Sequence, residues 1–257
     1  MTAFLRDFAE LLAELMPADD RPVVVFVAAW PFFRELKRAD WGAARDILDI
    51  IVGTAADRSV LMPTFSRGYV DGNCNLDEEP STTGVLSQEF LRRPGSKRTL
   101  SAFFSFAISG SATSQVEDLQ PVDAWGDGSI YAWMQERNAR QILLGAHPTH
   151  SSFLHRLEWL ARDRIRYRYR KEFRGRILRN GRVYECTENL YVRKLEPEAV
   201  NDFTVLVGLL DDAGMRRAKL NGISLAAYDA MPVVETILPH LLKDPFMVLA
   251  NRSDFGG

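Results

Sequence analysis

The stretch QILLGAHPTHSSFLHRLE, residues 141–158, reads as a buried strand that passes through a proline-containing turn into a helix. Gln141 to Ala146 is largely apolar, as suits a strand covered on both faces, and Pro148 disfavours helix just before it. Ser151 and Ser152 stand where hydroxyls can cap a helix over Ser151 to Asp163, with His155 in its first turn and Glu158 three residues further along the same face. Three of the chain's four histidines, His147, His150 and His155, fall within this junction. An imidazole titrates near neutrality, so such a group at the carboxyl end of a strand can transfer protons or bind a metal.

The spacing of the three histidines matches no familiar zinc pattern, and no cysteine or well-placed aspartate completes a set, so no metal is expected. The pair His155 and Glu158 supports two readings. A carboxylate can orient an imidazole and stabilise its charged form, or the two can form a surface helix pair worth about 0.3–0.5 kcal/mol.

Outward from this junction the chain alternates between strand and helix signals. Phe4, Leu5, Phe8, Leu11, Leu12 and Leu15 recur at helical intervals. Val23 to Ala29 (VVVFVAA) reads as a second buried strand, Trp41 to Val52 as a helix, and Val60 to Met62 as a short strand closed by Pro63. Arg67 to Pro80 reads as a long polar loop. Ser81 to Gly84 offers a hydroxyl cap to the helix VLSQEFLRR, and Gly126 to Asn138 reads as a further helix. From 166 to 193 the pattern becomes a β-hairpin about Asn180-Gly181, with Arg166, Arg168 and Arg170 on a solvated face and Tyr167, Tyr169 and Lys171 on a packing face. Leu225 to Leu242 reads as helix. The expectation is a single α/β domain over 1–257: three layers, with a central, largely parallel mixed sheet flanked by helices and an antiparallel hairpin excursion near 166–193.

With 257 residues, 46% hydrophobic and 11% aromatic, the chain can bury a substantial core, and its net charge of −2 gives no global pull toward nucleic acid or anionic membranes. Only Cys74 and Cys186 occur, without CxxC spacing, and no apolar run approaches the roughly 20 residues that cross a bilayer. A cytoplasmic protein without nucleic-acid or membrane partners is expected.

Three segments, in order, carry a family resemblance: LMPTFS (61–66), PSTTGVLSQEFLRRPGSKRT (80–99) running on to FFSFAISG (103–110), and ILLGAHPTHSSFLHRLE (142–158). Together they resemble the aminoglycoside 3-N-acetyltransferase family. The segments Phe104 to Ala107 and Tyr167 to Phe173 resemble its branch linked with amino-sugar and surface-polysaccharide biosynthesis.

The resemblance implies an acyl-coenzyme-A-dependent N-acyltransferase, using acetyl-CoA or another acyl-CoA, that acetylates an amino sugar or similar small molecule. The acceptor could be nucleotide-linked. His155 would be the general base for direct transfer and Glu158 its orienting carboxylate, with Glu172 a second candidate. Met62, Thr64, Ser81, Thr82, Ser151 and Ser152 would line the substrate cleft, Ser151 and Ser152 beside the developing oxyanion, and Trp30, Arg98 and Ser105 the acyl-CoA pocket. A homodimer is also allowed. Where the family has His-Ser-Ser after the first strand, this chain has Ala28-Ala29-Trp30, and where the family has His-Pro or Asp-Pro after its Arg-Ser step, this chain has Ser101-Ala102. These departures leave open a diverged biosynthetic acyl-transfer or hydrolytic enzyme that does not use free CoA, or a non-catalytic binding relative. The acidic loop residues Asp71, Asp77, Glu78 and Glu79 would suit a polycationic acceptor, and the arginines after 162 an anionic one.

Overall fold

A computed structural model describes residues 2–120 and 122–256. The chain runs through α1 (Ala3–Leu15), β1 (Val23–Val27), α2 (Ala29–Leu36), α3 (Trp41–Ala55), β2 (Val60–Pro63), β3 (Asn73–Asn75), α4 (Val85–Leu91), β4 (Lys97–Arg98), β5 (Phe106–Ser109) and α5 (Thr113–Val116). It continues through α6 (Ile130–Glu136), β6 (Arg140–Leu144), α7 (Leu154–Leu160), β7 (Arg168–Arg179), β8 (Arg182–Arg193), α8 (Val207–Asp212), β9 (Arg216–Leu220), β10 (Ile223–Asp229) and α9 (Ala230–Lys243).

Seven strands form one mixed sheet in the order β4-β5-β2-β1-β6-β10-β9. The central trio β2-β1-β6 is parallel, and antiparallel strands extend it on both sides. Alternation along β1 divides the core between two faces. Val24 and Phe26 join a cluster with Tyr131, Leu157, Val233 and Ile237, while Val23 and Val25 join one with Phe8, Phe32, Ile47 and Phe90. Helices α1 to α4 thus cover one face and α6 to α9 the other, which is the expected three-layer arrangement. The hairpin β7–β8 leaves this sheet and pairs with β3 in a second, three-stranded sheet. Asn180 and Gly181 both take positive φ (53° and 69°), the requirement of a type I′ turn.

Several expectations change. The polar loop over 67–80 contains β3, which adds in parallel to β7. No hydroxyl caps α4: Gly84 takes that position at φ 113°, while the Thr83 hydroxyl donates to the Pro63 carbonyl. The helix expected over 126–138 is confined to α6, capped by Ser129, and that over 151–163 to α7, where neither serine occupies the cap position. Leu225 to Asp229 is strand, not helix, and closes a β9–β10 hairpin through Asn221-Gly222. A short apolar run such as Ile223 to Tyr228 suits either element until its neighbours are known.

Candidate active site

The helix α7 follows the carboxyl end of β6 and packs Leu154 and Leu157 into the core, which turns His155 and Glu158 toward the base of the hairpin. Glu158 is fully buried. Its Oε2 lies 2.6 Å from His155 Nδ1, and its Oε1 accepts hydrogen bonds from Arg168 Nε (2.8 Å), the Tyr167 hydroxyl (2.9 Å) and Asn201 Nδ2 (3.1 Å). Burial by itself would raise the Glu158 carboxyl, but the Arg168 charge and hydrogen bonds from His155 and Arg168 outweigh it and hold the group at about 2.

An ionised carboxylate can only accept a hydrogen bond, so the short contact requires His155 Nδ1 to carry the proton. That leaves Nε2 unprotonated in the neutral ring and without a hydrogen-bond partner among the described residues. Burial and the Glu158 charge push the Tyr167 phenol up, so it stays a donor. Arg168 is fixed in turn by the Tyr191 carbonyl (2.8 Å) and Asn201 Oδ1 (3.0 Å). The imidazole is flanked edge-on by Trp125, with ring centroids 5.6 Å apart, and by Phe203 at 5.1 Å.

The His155 side chain, 31% exposed, opens on a cavity of about 620 Å³. Phe104, Trp125, Tyr169, Lys171, Phe173 and Phe203 are among its walls, together with Arg168, Arg193 and Asn201. Tyr169 pairs with Val192 and Lys171 with Leu190 across the hairpin, so the face expected to pack inward is the cavity floor for these residues. Arg168, expected on a solvated face, is instead buried beside Glu158.

The other expected site residues lie elsewhere. Arg98 is buried and directs Nε to Ser105 Oγ (3.0 Å), Nη1 to the Leu76 and Glu79 carbonyls, and Nη2 to the Thr64 carbonyl (2.6 Å). The Ser105 hydroxyl also bonds the Thr64 carbonyl, at 2.8 Å. Arg98, Ser105 and Thr64 therefore bind one another and the main chain. Met62 is buried in the strand core. The Thr82 hydroxyl donates to the Phe65 carbonyl, and Ser81 accepts from the Thr83 amide. Both fasten the loop before α4 rather than the cavity wall.

Ser151 is buried, donating to Gln141 and accepting from the Phe153 amide, and Ser152 accepts from the Tyr131 hydroxyl. Neither lines the cavity. Glu172 is exposed and pairs with Arg174 at 2.6 Å. Trp30 is 69% exposed at the start of α2, next to Pro31 of a second cavity of about 300 Å³ at the carboxyl ends of β1 and β6. His147 lines that second cavity, bonded to Thr149, with its ring 5.7 Å from His150. The histidines do not converge, and among the described residues no group of three or more His, Cys, Asp or Glu could hold a metal ion.

Tyr167 and Arg168 lay within the basic stretch noted in the sequence, but their bonds to Glu158 had no sequence signal. Trp125, Asn201 and Phe203 carried none either.

A seven-stranded mixed sheet between two helical layers, with a histidine–glutamate pair on the helix that follows β6, defines a three-layer α/β domain with a buried carboxylate behind a partly exposed imidazole. The model of the aminoglycoside 3-N-acetyltransferase family matches residues 58–241, and the chain belongs to that family. Solved structures share the fold. The aminoglycoside acetyltransferase AAC(3)-Xa is 18% identical, with a TM-score of 0.74 over 93% of this chain and 92% of that one. AAC-IIIb, solved as a binary complex with CoASH, is 17% identical with a TM-score of 0.74 over 93% and 96%. YokD from Bacillus subtilis is 15% identical with a TM-score of 0.73 over 94% of each. No curated sequence matches the chain. Among the described residues no helix is long and apolar enough to cross a membrane.

Proposed function

We propose that the protein transfers an acetyl group from acetyl-CoA to a primary amine of an amino sugar, with His155 as general base. The observation that carries this reading is the His155 side chain on the wall of a large cavity with Nδ1 held 2.6 Å from buried Glu158. Family membership supplies the reaction class. A primary amine is largely protonated at neutral pH and must lose a proton to attack a carbonyl. Once the ammonium has released one proton to solvent, His155 Nε2 accepts a further proton from the attacking nitrogen as the nitrogen–carbon bond forms, Glu158 stabilises the resulting imidazolium, and that proton passes to the departing thiolate as the carbon–sulfur bond breaks. Atoms and charge balance: thioester and amine become amide and thiol.

AAC-IIIb binds CoASH, and a histidine-to-alanine variant of AAC(3)-IVa binds a gentamicin; these complexes support acyl-CoA as donor and an amino sugar as acceptor. Arg98 and Ser105 already use their polar atoms within the protein, so they are poorly suited to grip a CoA phosphate. The cleft between the β1 and β6 ends, beside Trp30 and His147, is the better candidate for the donor. Use of acetyl-CoA as donor would fit a cytoplasmic setting.

The test is thiol release from acetyl-CoA with a panel of amino sugars. The wild type should turn over at least one, and His155→Ala should lose about 10²–10⁴-fold in kcat with an unchanged melting temperature. A folded protein that shows no acetyl-CoA binding by calorimetry would overturn the reading.

A further inference from the structure

The cavity that His155 faces carries the charge and hydrogen-bond character of an anion site. Its charged lining residues are Arg168, Lys171 and Arg193, and no Asp or Glu lines it. Arg168 is neutralised by Glu158. Among the described residues Lys171 and Arg193 form no ion pair: Lys171 Nζ stands 5.1 Å from the Phe173 ring, and Arg193 donates one hydrogen bond to the Ala199 carbonyl. Trp125 lines the cavity with its ring, 5.6 Å from the His155 ring. The one amide in the lining, Asn201, spends its oxygen on Arg168 and its nitrogen on Glu158. Two cations therefore face the base with no counter-charge among the described lining residues.

The nearby carboxylates are committed elsewhere. Asp123 pairs with Arg170, Glu79 with Arg67, and Asp77 accepts from the Asn180 and Gly181 amides. Glu188 accepts from the Tyr69 and Ser101 hydroxyls and the Ala102 amide. A polycation entering this cavity would meet two unpaired cations with no counter-charge in the lining, and like-charge juxtaposition is costly.

We infer that this site selects an anionic acceptor, an amino sugar bearing a phosphate or carboxylate, with Lys171 and Arg193 as its anion-recognition pair, and that it rejects polycationic aminoglycosides. The inference rests on the proposed role of this cavity as the acceptor site. The acyl donor is also an anion, but it needs only its thioester at His155, and its phosphates lie a pantetheine arm away from that group. The acceptor amine must touch the base, so the rest of a sugar-sized acceptor occupies the same cavity, whose volume suits one such ligand. The aromatic walls offer faces for a sugar ring or a linked base. The same cations disfavour the ammonium form of a bound amine, which eases its loss of a proton to solvent.

The experiment is calorimetric titration of the full chain with glucosamine 6-phosphate and with gentamicin, before and after Lys171→Glu combined with Arg193→Glu. Both residues are exposed, so the variant should keep the wild-type melting temperature, which is checked first. The wild type should bind the phosphorylated sugar about tenfold or more tightly than gentamicin, less so in high salt, and the charge reversal should invert that order. Equal or tighter binding of gentamicin by the wild type overturns the inference, as does an order indifferent to the reversal. A variant whose KM rises for acetyl-CoA, with the two acceptor affinities unmoved, would assign the cations to the donor and also overturn it. Binding needs no turnover: inverted affinities without any thiol release would sustain anion recognition while removing the transferase reading.

Discussion

Two arginine-centred networks sit about the same sheet and do different things. Arg98 gives its donors to the carbonyls of Thr64, Leu76 and Glu79 and to Ser105. It is a tie between β4, the end of β2 and the polar loop. Arg168 gives its donors to Glu158, Asn201 and the Tyr191 carbonyl, and Glu158 in turn holds an imidazole that opens on a cavity. Both networks are buried and well satisfied, but only the second ends in an atom with no protein partner. A buried polar cluster becomes a candidate for chemistry through the one group it leaves free, not through the charges it contains.

The sharpest way to separate the two is Glu158→Gln. An amide nitrogen placed against His155 Nδ1 would favour the tautomer with Nε2 protonated, which cannot act as base, so kcat should fall on the order of 10³-fold or more. Arg168 would also lose its buried counter-charge, and thermal unfolding should report a loss of about 3–5 kcal/mol. Wild-type kcat in this variant would break the assigned role.

Arg98→Met is the matching change in the other network. It orphans buried carbonyls and should cost about 3 kcal/mol in urea unfolding, with kcat of the folded fraction within about twofold of wild type. A selective rise in KM for acetyl-CoA would return Arg98 to the donor pocket.

Acid stability distinguishes the two sites more gently. Glu158 is held at about 2, below its ordinary 4.5, so its contribution to stability is complete above about pH 4.5 and is lost as the pH falls through about 2. The wild-type melting temperature should fall across that window more steeply than that of Glu158→Gln, which has no carboxyl to protonate. Parallel curves would mean that the carboxylate is not held down. The smallest effect is expected from Glu172→Gln, whose exposed pair with Arg174 should be worth within about 0.5 kcal/mol and leave kcat unchanged in a thiol-release assay.

Legibility in the sequence followed range. The apolar strands β1 and β2, the helix α1, the turn at Asn180-Gly181 and the family segments are local patterns, and each reads correctly from neighbouring residues. His155 and Glu158 are three residues apart on one helix face, so their pairing was visible as well. The strand β10 was misread because its apolar run gains strand character only by pairing with β6 and β9. The resemblance implied Arg98 and Ser105 as pocket residues, and motif order does not show whether a polar atom is already bonded within the protein.

By itself the sequence determined the α/β alternation, the hairpin and the placement of His155 and Glu158 on one helix face, because periodicity, turn chemistry and helical spacing act over a few residues, while its ordered motif segments carried the resemblance to the family. Only the tertiary structure decided which of three histidines faces the large cavity with a buried carboxylate behind it, that Arg168 and His155 hold Glu158 ionised, and that the cavity's charged lining is cationic. Those facts depend on bringing α7, the hairpin and the Leu195–Phe203 segment together, and on which buried charges are already paired when they meet.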